Sequence, residues 1–148
     1  KSFELRNQNN NSHYIKVHSK FIYEFVNTYC SFSENKTHSV GLKMSVDKYS
    51  KDFLQGCLLG LMLSDGYLKK TFRFNVTSVK LANNTRDILR RFGYHPRRYL
   101  QRRTNPKHRT LIHTVLAKNE SQQVKTLLDG VLENIGFLKK FETIKYGE

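Results

Sequence analysis

An α+β fold is what this sequence predicts, and three observations carry the prediction. An apolar helical run over residues 51–65 stops at an isolated acid, Asp65, followed by Gly66. Residues 71–77 alternate between apolar and polar side chains, the period of a half-buried strand. A second helical pattern over residues 79–92 ends at Gly93 and is followed by a basic hairpin and a third helical pattern. From residue 48 to 148 the order is therefore helix, two strands, helix, two strands, helix (αββαββα), preceded by an extension over residues 1–47.

The extension has no fold legible in its sequence. Residues 7–12 are an Asn-rich polar loop, and residues 33–39 are polar again. Between them, residues 18–32 are rich in aromatic and β-branched side chains, compatible with helix or strand. A leader without structure, an arm lying on nucleic acid and a remnant of a larger protein all fit this composition.

From Ser50 the pattern sharpens. Ser50 suits an N-cap, and Asp52 favours the first turn by complementing the helix dipole. Phe53, Leu54, Cys57, Leu58, Leu61 and Met62 fall on one helical face, with Gly56 and Gly60 together on an adjacent one. Glycine inside a helix costs roughly 1 kcal/mol against alanine. Two of them four residues apart imply that another backbone comes close, as in a tightly packed partner helix. Asp65 is expected to be the last helical residue, with Gly66 leaving the helix in a left-handed conformation.

The strand pairs follow. Residues 67–70 read as a first strand turning at Lys69 and Lys70, and residues 71–77 as its partner, with Phe72, Phe74 and Val76 inward and Thr71, Arg73, Asn75 and Thr77 outward. Leu81, Thr85, Ile88, Leu89 and Phe92 form the stripe of the next helix, with Arg90 and Arg91 in its last turn and Gly93 as the C′ residue. Residues 97–103 and 109–117 read as a hairpin turning at Asn105 and Pro106. Asn119 is expected to cap the last helix in a capping box with Gln122, with Val124, Leu127, Leu128 and Val131 as its apolar face.

Charge narrows the class of partner. The 148 residues carry 26 Lys and Arg against 12 Asp and Glu, a formal net charge of +14. That excess is costly in self-repulsion and implies a polyanionic partner. Basic residues alternate with Tyr, Phe, Thr and Asn along the whole chain, which suits a folded nucleic-acid-binding surface better than a disordered arm. Cys30 and Cys57 fit neither a zinc site nor a disulfide framework, which points to a reducing, intracellular compartment. The six histidines show no ligand spacing. The apolar run over residues 53–63 is far shorter than the roughly 20 residues of a membrane span, so no membrane is expected.

Asp65 is the residue that local structure explains least. A helix C-terminus carries partial negative charge, so a carboxylate there calls for a nearby cation. Lys69, Lys70 or a divalent metal could supply it, and Mg²⁺ takes few protein carboxylates together with phosphate oxygens and water. An Asp that merely ends a helix is the alternative.

Residues 58–66, Leu-Leu-Gly-Leu-Met-Leu-Ser-Asp-Gly, resemble the motif that names the LAGLIDADG homing endonucleases, closely so at Leu58, Gly60, Leu61, Asp65 and Gly66. The downstream order of elements resembles one αββαββα unit of that family, so the resemblance covers about residue 48 to the end. It implies that the motif helix packs on a second motif helix through Gly56, Gly60 and Leu61, and that Asp65 is the metal-binding catalytic acid. It further implies Mg²⁺-dependent hydrolysis of both DNA strands, with one ion readying water and another stabilising the leaving oxygen. Ser78 or Lys80 would order active-site water, and Lys139 or Lys140 would be the supporting base near the last helix. The sixth motif position, often acidic, is Leu63. With a single motif, the chain would act as a homodimer, or else be half of a longer ancestor.

In such a unit the strands form a curved sheet over the major groove of double-stranded DNA. The first pair offers Lys69, Lys70, Arg73, Asn75 and Thr77; the second offers Arg97, Arg98, Gln101, Arg102, Arg103, Lys107 and Arg109. Arg suits guanine edges and Gln or Asn suits adenine, while any Lys or Arg can hold phosphate. The same surface suits structured RNA. The competing expectation is thus a catalytically inactive member that binds RNA, as a splicing maturase or as part of a ribonucleoprotein such as an organellar ribosome with its rRNA. A mitochondrion or another organelle is among the compartments this allows.

Overall fold

The computed structural model describes residues 3–8, 12–17, 19–33, 36–101 and 110–136. The chain divides into two compact units, the first ending at Cys30 and the second beginning at Ser31. Residues 39–49 lie in the second unit, their backbone tied to the helix at residues 79–91. The Ser78 hydroxyl donates to the Val40 carbonyl at 2.6 Å, the Leu42 amide donates to Asn84 Oδ1 at 2.8 Å, and Arg91 Nη2 donates to the Tyr49 carbonyl at 3.3 Å.

In the first unit, β1 (Phe3–Gln8) pairs antiparallel with β2 (Ser12–Val17), Phe3 opposite Val17 and Gln8 opposite Ser12. Helix α1 (Lys20–Tyr29) follows, capped by Ser19, whose hydroxyl accepts the Ile22 amide at 3.4 Å. The aromatic stretch that fitted helix or strand is thus mainly helix. Its Phe25 and Tyr29 rings lie one turn apart with centroids at 4.7 Å.

A two-residue strand β3 (Cys30–Ser31), a one-turn helix α2 (Lys36–Ser39), a short strand β4 (Gly41–Leu42) and a 3₁₀ turn at Val46–Lys48 lead into helix α3 (Lys51–Ser64). Ser50 caps α3 as expected, accepting the Phe53 amide at 3.2 Å. Leu54, Leu58, Leu59 and Met62 are its buried residues. Phe53, Cys57 and Leu61 are only half-buried, so the covered face is narrower than the apolar pattern suggested and Cys57 is not a core residue.

The rest follows the expected order: β5 (Gly66–Tyr67), β6 (Arg73–Val76), α4 (Val79–Arg91), β7 (Arg97–Gln101), β8 (Leu111–Val115) and α5 (Lys118–Asn134). The fold is α+β. The four strands make one antiparallel sheet in the order β5-β6-β8-β7. One sheet face carries Phe74, Ile112 and Thr114, and these, with Leu54, Leu58, Met62, Ile88, Leu89, Val124 and Leu128 of the helices, are core residues at most 4 % exposed. Phe72 is anchored on both sides of its peptide. Its amide donates to Ser121 Oγ at 2.8 Å, and its carbonyl accepts the Leu116 amide at 3.3 Å.

Helix α4 ends as its sequence dictates. Gly93 has φ of 86°, its amide donates to the Arg90 carbonyl at 2.9 Å, and the Tyr94 amide reaches the Leu89 carbonyl at 3.0 Å. This is the paired bonding of a Schellman motif.

Four local expectations are corrected. Helix α3 ends at Ser64, and Asp65 is its C-cap. Gly66 is in β5 and is not left-handed; among the described glycines positive φ occurs at Gly93 and Gly136. What demands glycine at position 66 is space, since a Cβ there would lie 2.6 Å from Met62 Cα. Asn119 does not cap α5. The helix starts at Lys118 behind Ala117, and Ser121 turns its hydroxyl back onto the Ala117 carbonyl at 2.8 Å. The first strand of the sheet is also shorter than expected, two residues instead of four; Leu68 just beyond it is buried and the chain bends over residues 69–71.

Candidate nucleic-acid interface

The strand register decides which side chains share a face. Arg73, Val115 and Arg97 stand side by side across the sheet, and Asn75, His113 and Tyr99 form the row two residues along. Gln101 and Leu111 lie one further row along the same face. Arg73, Arg97, Tyr99 and Gln101 are exposed. This is the open side of the sheet, and it brings together four of the residues expected at a nucleic-acid surface: Arg73, Asn75, Arg97 and Gln101.

Tyr99 and His113 join them, and the sequence reading passed over both. Their rings stack with centroids at 4.5 Å and 6° between planes. His113 is 7 % exposed although it lies on the open face, because its immediate neighbours cover it. Its Nε2 meets Gln101 Oε1 at 2.8 Å. With that carbonyl as acceptor, Nε2 carries the hydrogen and Nδ1 is a bare lone pair. Nδ1 and Asn75 Oδ1 are both buried without a hydrogen-bond partner among the described residues. Burial, and then the Arg73 guanidinium, hold the His113 imidazole below its ordinary pKa, so it is neutral near pH 7. The signal that could have found the pair is the period of two: Tyr99 falls between Arg97 and Gln101 on one face of β7.

Arg98 is placed elsewhere. It belongs to the opposite face, where its Nη1 donates to Asn83 Oδ1 on α4 at 2.6 Å. Thr77 is half-buried just beyond the end of β6. Lys69 and Lys70 are exposed in the turn between β5 and β6. With Thr71 they line an open hollow of about 900 Å³, completed by Lys118, Asn119 and Gln122 at the start of α5. Arg102, Arg103, Lys107, Arg109, Lys139 and Lys140 lie outside the described residues.

Asp65 is exposed at the end of α3, its amide bonded to the Leu61 carbonyl at 3.1 Å. Among the described residues no three His, Cys, Asp or Glu gather around a common point, so Asp65 is a single oxygen donor within this chain. Gly56 and Gly60 lie exposed on the same helix, and a Cβ added at either would meet no atom within 4 Å. That flank of α3 is open, and Leu61 beside it is half-buried.

Ser78 is fully buried and its hydroxyl is engaged twice, donating to the Val40 carbonyl and accepting the Leu81 amide at 3.2 Å as the N-cap of α4. Lys80 extends its ammonium to Ser31 Oγ, and its stem covers Gly41. Among the described residues no helix is long and apolar enough to cross a membrane. No protein-family model, curated protein or solved structure matches the chain.

Proposed function

We propose that this chain is a site-specific DNA endonuclease built on a single LAGLIDADG unit, working as a homodimer with Mg²⁺. The observation that carries the proposal is the pairing, on one helix, of an uncovered glycine flank with an exposed terminal acid. Gly56 and Gly60 leave α3 free to receive another backbone, and Asp65 ends the same helix in solvent. Two such helices side by side would bring two carboxylates together, an arrangement that suits a hard dication at a phosphodiester. Asp65 would hold the ion, which when bound activates water and stabilises the departing oxygen. Arg73 and Arg97 would hold phosphates, and Asn75 and Gln101 would read base edges.

The test is incubation of purified chain with a DNA library and Mg²⁺, beside Asp65→Asn and an EDTA control. Double-strand cleavage at one site, absent in both controls, is the expected outcome. No cleavage of any DNA with Mg²⁺ or Mn²⁺ overturns the nuclease.

A second reading, an inactive member that binds structured RNA, is favoured by Ser78. The hydroxyl that the resemblance would use to order water is committed to capping α4 and holding Val40. Under that reading RNA binds tightly and Asp65→Asn changes nothing.

A further inference from the structure

We propose that Tyr99, held flat on His113 at the sheet edge, is a stacking platform for an unpaired nucleobase. The inference rests on the reading that the open sheet face holds nucleic acid, and it names the form of that nucleic acid: single-stranded, or a duplex with a base turned out of the stack.

The geometry is that of a built platform. Tyr99 sits on β7, an edge strand of the sheet, and remains 48 % exposed although one ring face is taken by His113 at 4.5 Å. Among the described residues no second ring stacks on Tyr99. The rings are nearly parallel, and the pair is fixed in two ways: the residues are opposite each other in the β7–β8 ladder, and His113 is tethered to Gln101 at 2.8 Å. A rigid ring loses little conformational freedom when a base settles on it. Arg97 stands two residues away on the same strand and face, about 7 Å along it, where a phosphate flanking a stacked base needs a cation.

A fully paired duplex meets such a face through its phosphates and base edges, not by stacking on the tyrosine ring. Its bases are stacked on each other and offer only their edges in the grooves. A base outside the helix offers its face, and stacking on an aromatic side chain is then favourable whatever the base. An exposed tyrosine ring at the sheet edge therefore offers an unpaired base a stacking surface that a fully paired base cannot use.

The test is fluorescence anisotropy with full-length chain in EDTA at fixed salt, so that cleavage plays no part. The probes are a single-stranded oligonucleotide, a fully paired duplex of the same length and the duplex with one bulged base, each as DNA and as RNA. Tyr99→Ala should weaken the single-stranded and bulged probes roughly 5- to 150-fold and leave the paired duplex within about two-fold. Tyr99→Leu, which keeps His113 covered but offers no ring, should behave like Tyr99→Ala, and Tyr99→Phe like wild type. Equal loss on all probes, or no loss on any, overturns the platform while leaving the endonuclease reading to its own cleavage assay. A wild-type chain that binds none of the probes overturns the nucleic-acid reading and the platform with it. The DNA and RNA arms identify which polymer supplies the base.

Discussion

Gly66 and His113 are the positions where single residues carry the most structural information. Gly66 does not have a left-handed φ, yet a Cβ there would press on Met62 Cα at 2.6 Å. Gly66→Ala should therefore destabilise by about 1–3 kcal/mol through overpacking, read as a lower urea midpoint with unchanged slope. His113 gives a pH signature of known sign. Its folded pKa lies below the ordinary value of about 6.5, so the unfolded chain takes up its proton first as pH falls. Its contribution is complete above that ordinary value and is lost as pH falls through the folded one. Subtracting the stability profile of His113→Gln from that of wild type should reveal this loss on the acid side, and a flat difference would contradict it.

At the scale of elements, α3 and β7 have two unlike sides. The α3 flank with Gly56 and Gly60 is open, so alanine at either meets no atom and restores helix propensity. Each substitution should raise the stability of the dilute monomer by about 1 kcal/mol in chemical denaturation. If the flank is a seam between two copies, the same substitutions should weaken self-association in sedimentation velocity, a split that a purely solvent-facing flank would not produce. On β7, Arg97 and Arg98 were equivalent in sequence and are opposite in space. Arg97→Ala should lower the salt dependence of nucleic-acid affinity by about one unit of log–log slope. Arg98→Ala should leave the slope alone and destabilise the fold, because Arg98 holds Asn83 on α4.

Across the whole molecule, the elements were legible because their signals are local. Ser50 and Gly93 announce helix ends by their own chemistry, and Phe72, Phe74 and Val76 announce a strand by their spacing. What the chain does with distant partners was not. Nothing near Asn119 in sequence reveals that Ser121 would bind Phe72, 49 positions away, and fix the start of α5. The attachment of residues 39–49 rests on Asn84 and Arg91, contacts equally remote. The candidate interface was half legible for the same reason. Basic residues gave its charge, while the partnership of Tyr99 with His113 depends on a cross-strand register that no single segment encodes.

The strand order carries a consequence for how the chain is made. β6 finds its inner neighbour in β8, not in β7, so the central ladder joins residues 73–76 to residues 112–115. A nascent chain that has emerged only as far as β7 has no interior strand for either β6 or β7 to lie against. Pairing so distant in sequence is slow to close. Until β8 emerges, Phe72 and Phe74 lack their cover, and the newly made basic segments are available to any polyanion nearby. The order of synthesis thus leaves a window in which a nucleic acid could meet the chain before its sheet has closed.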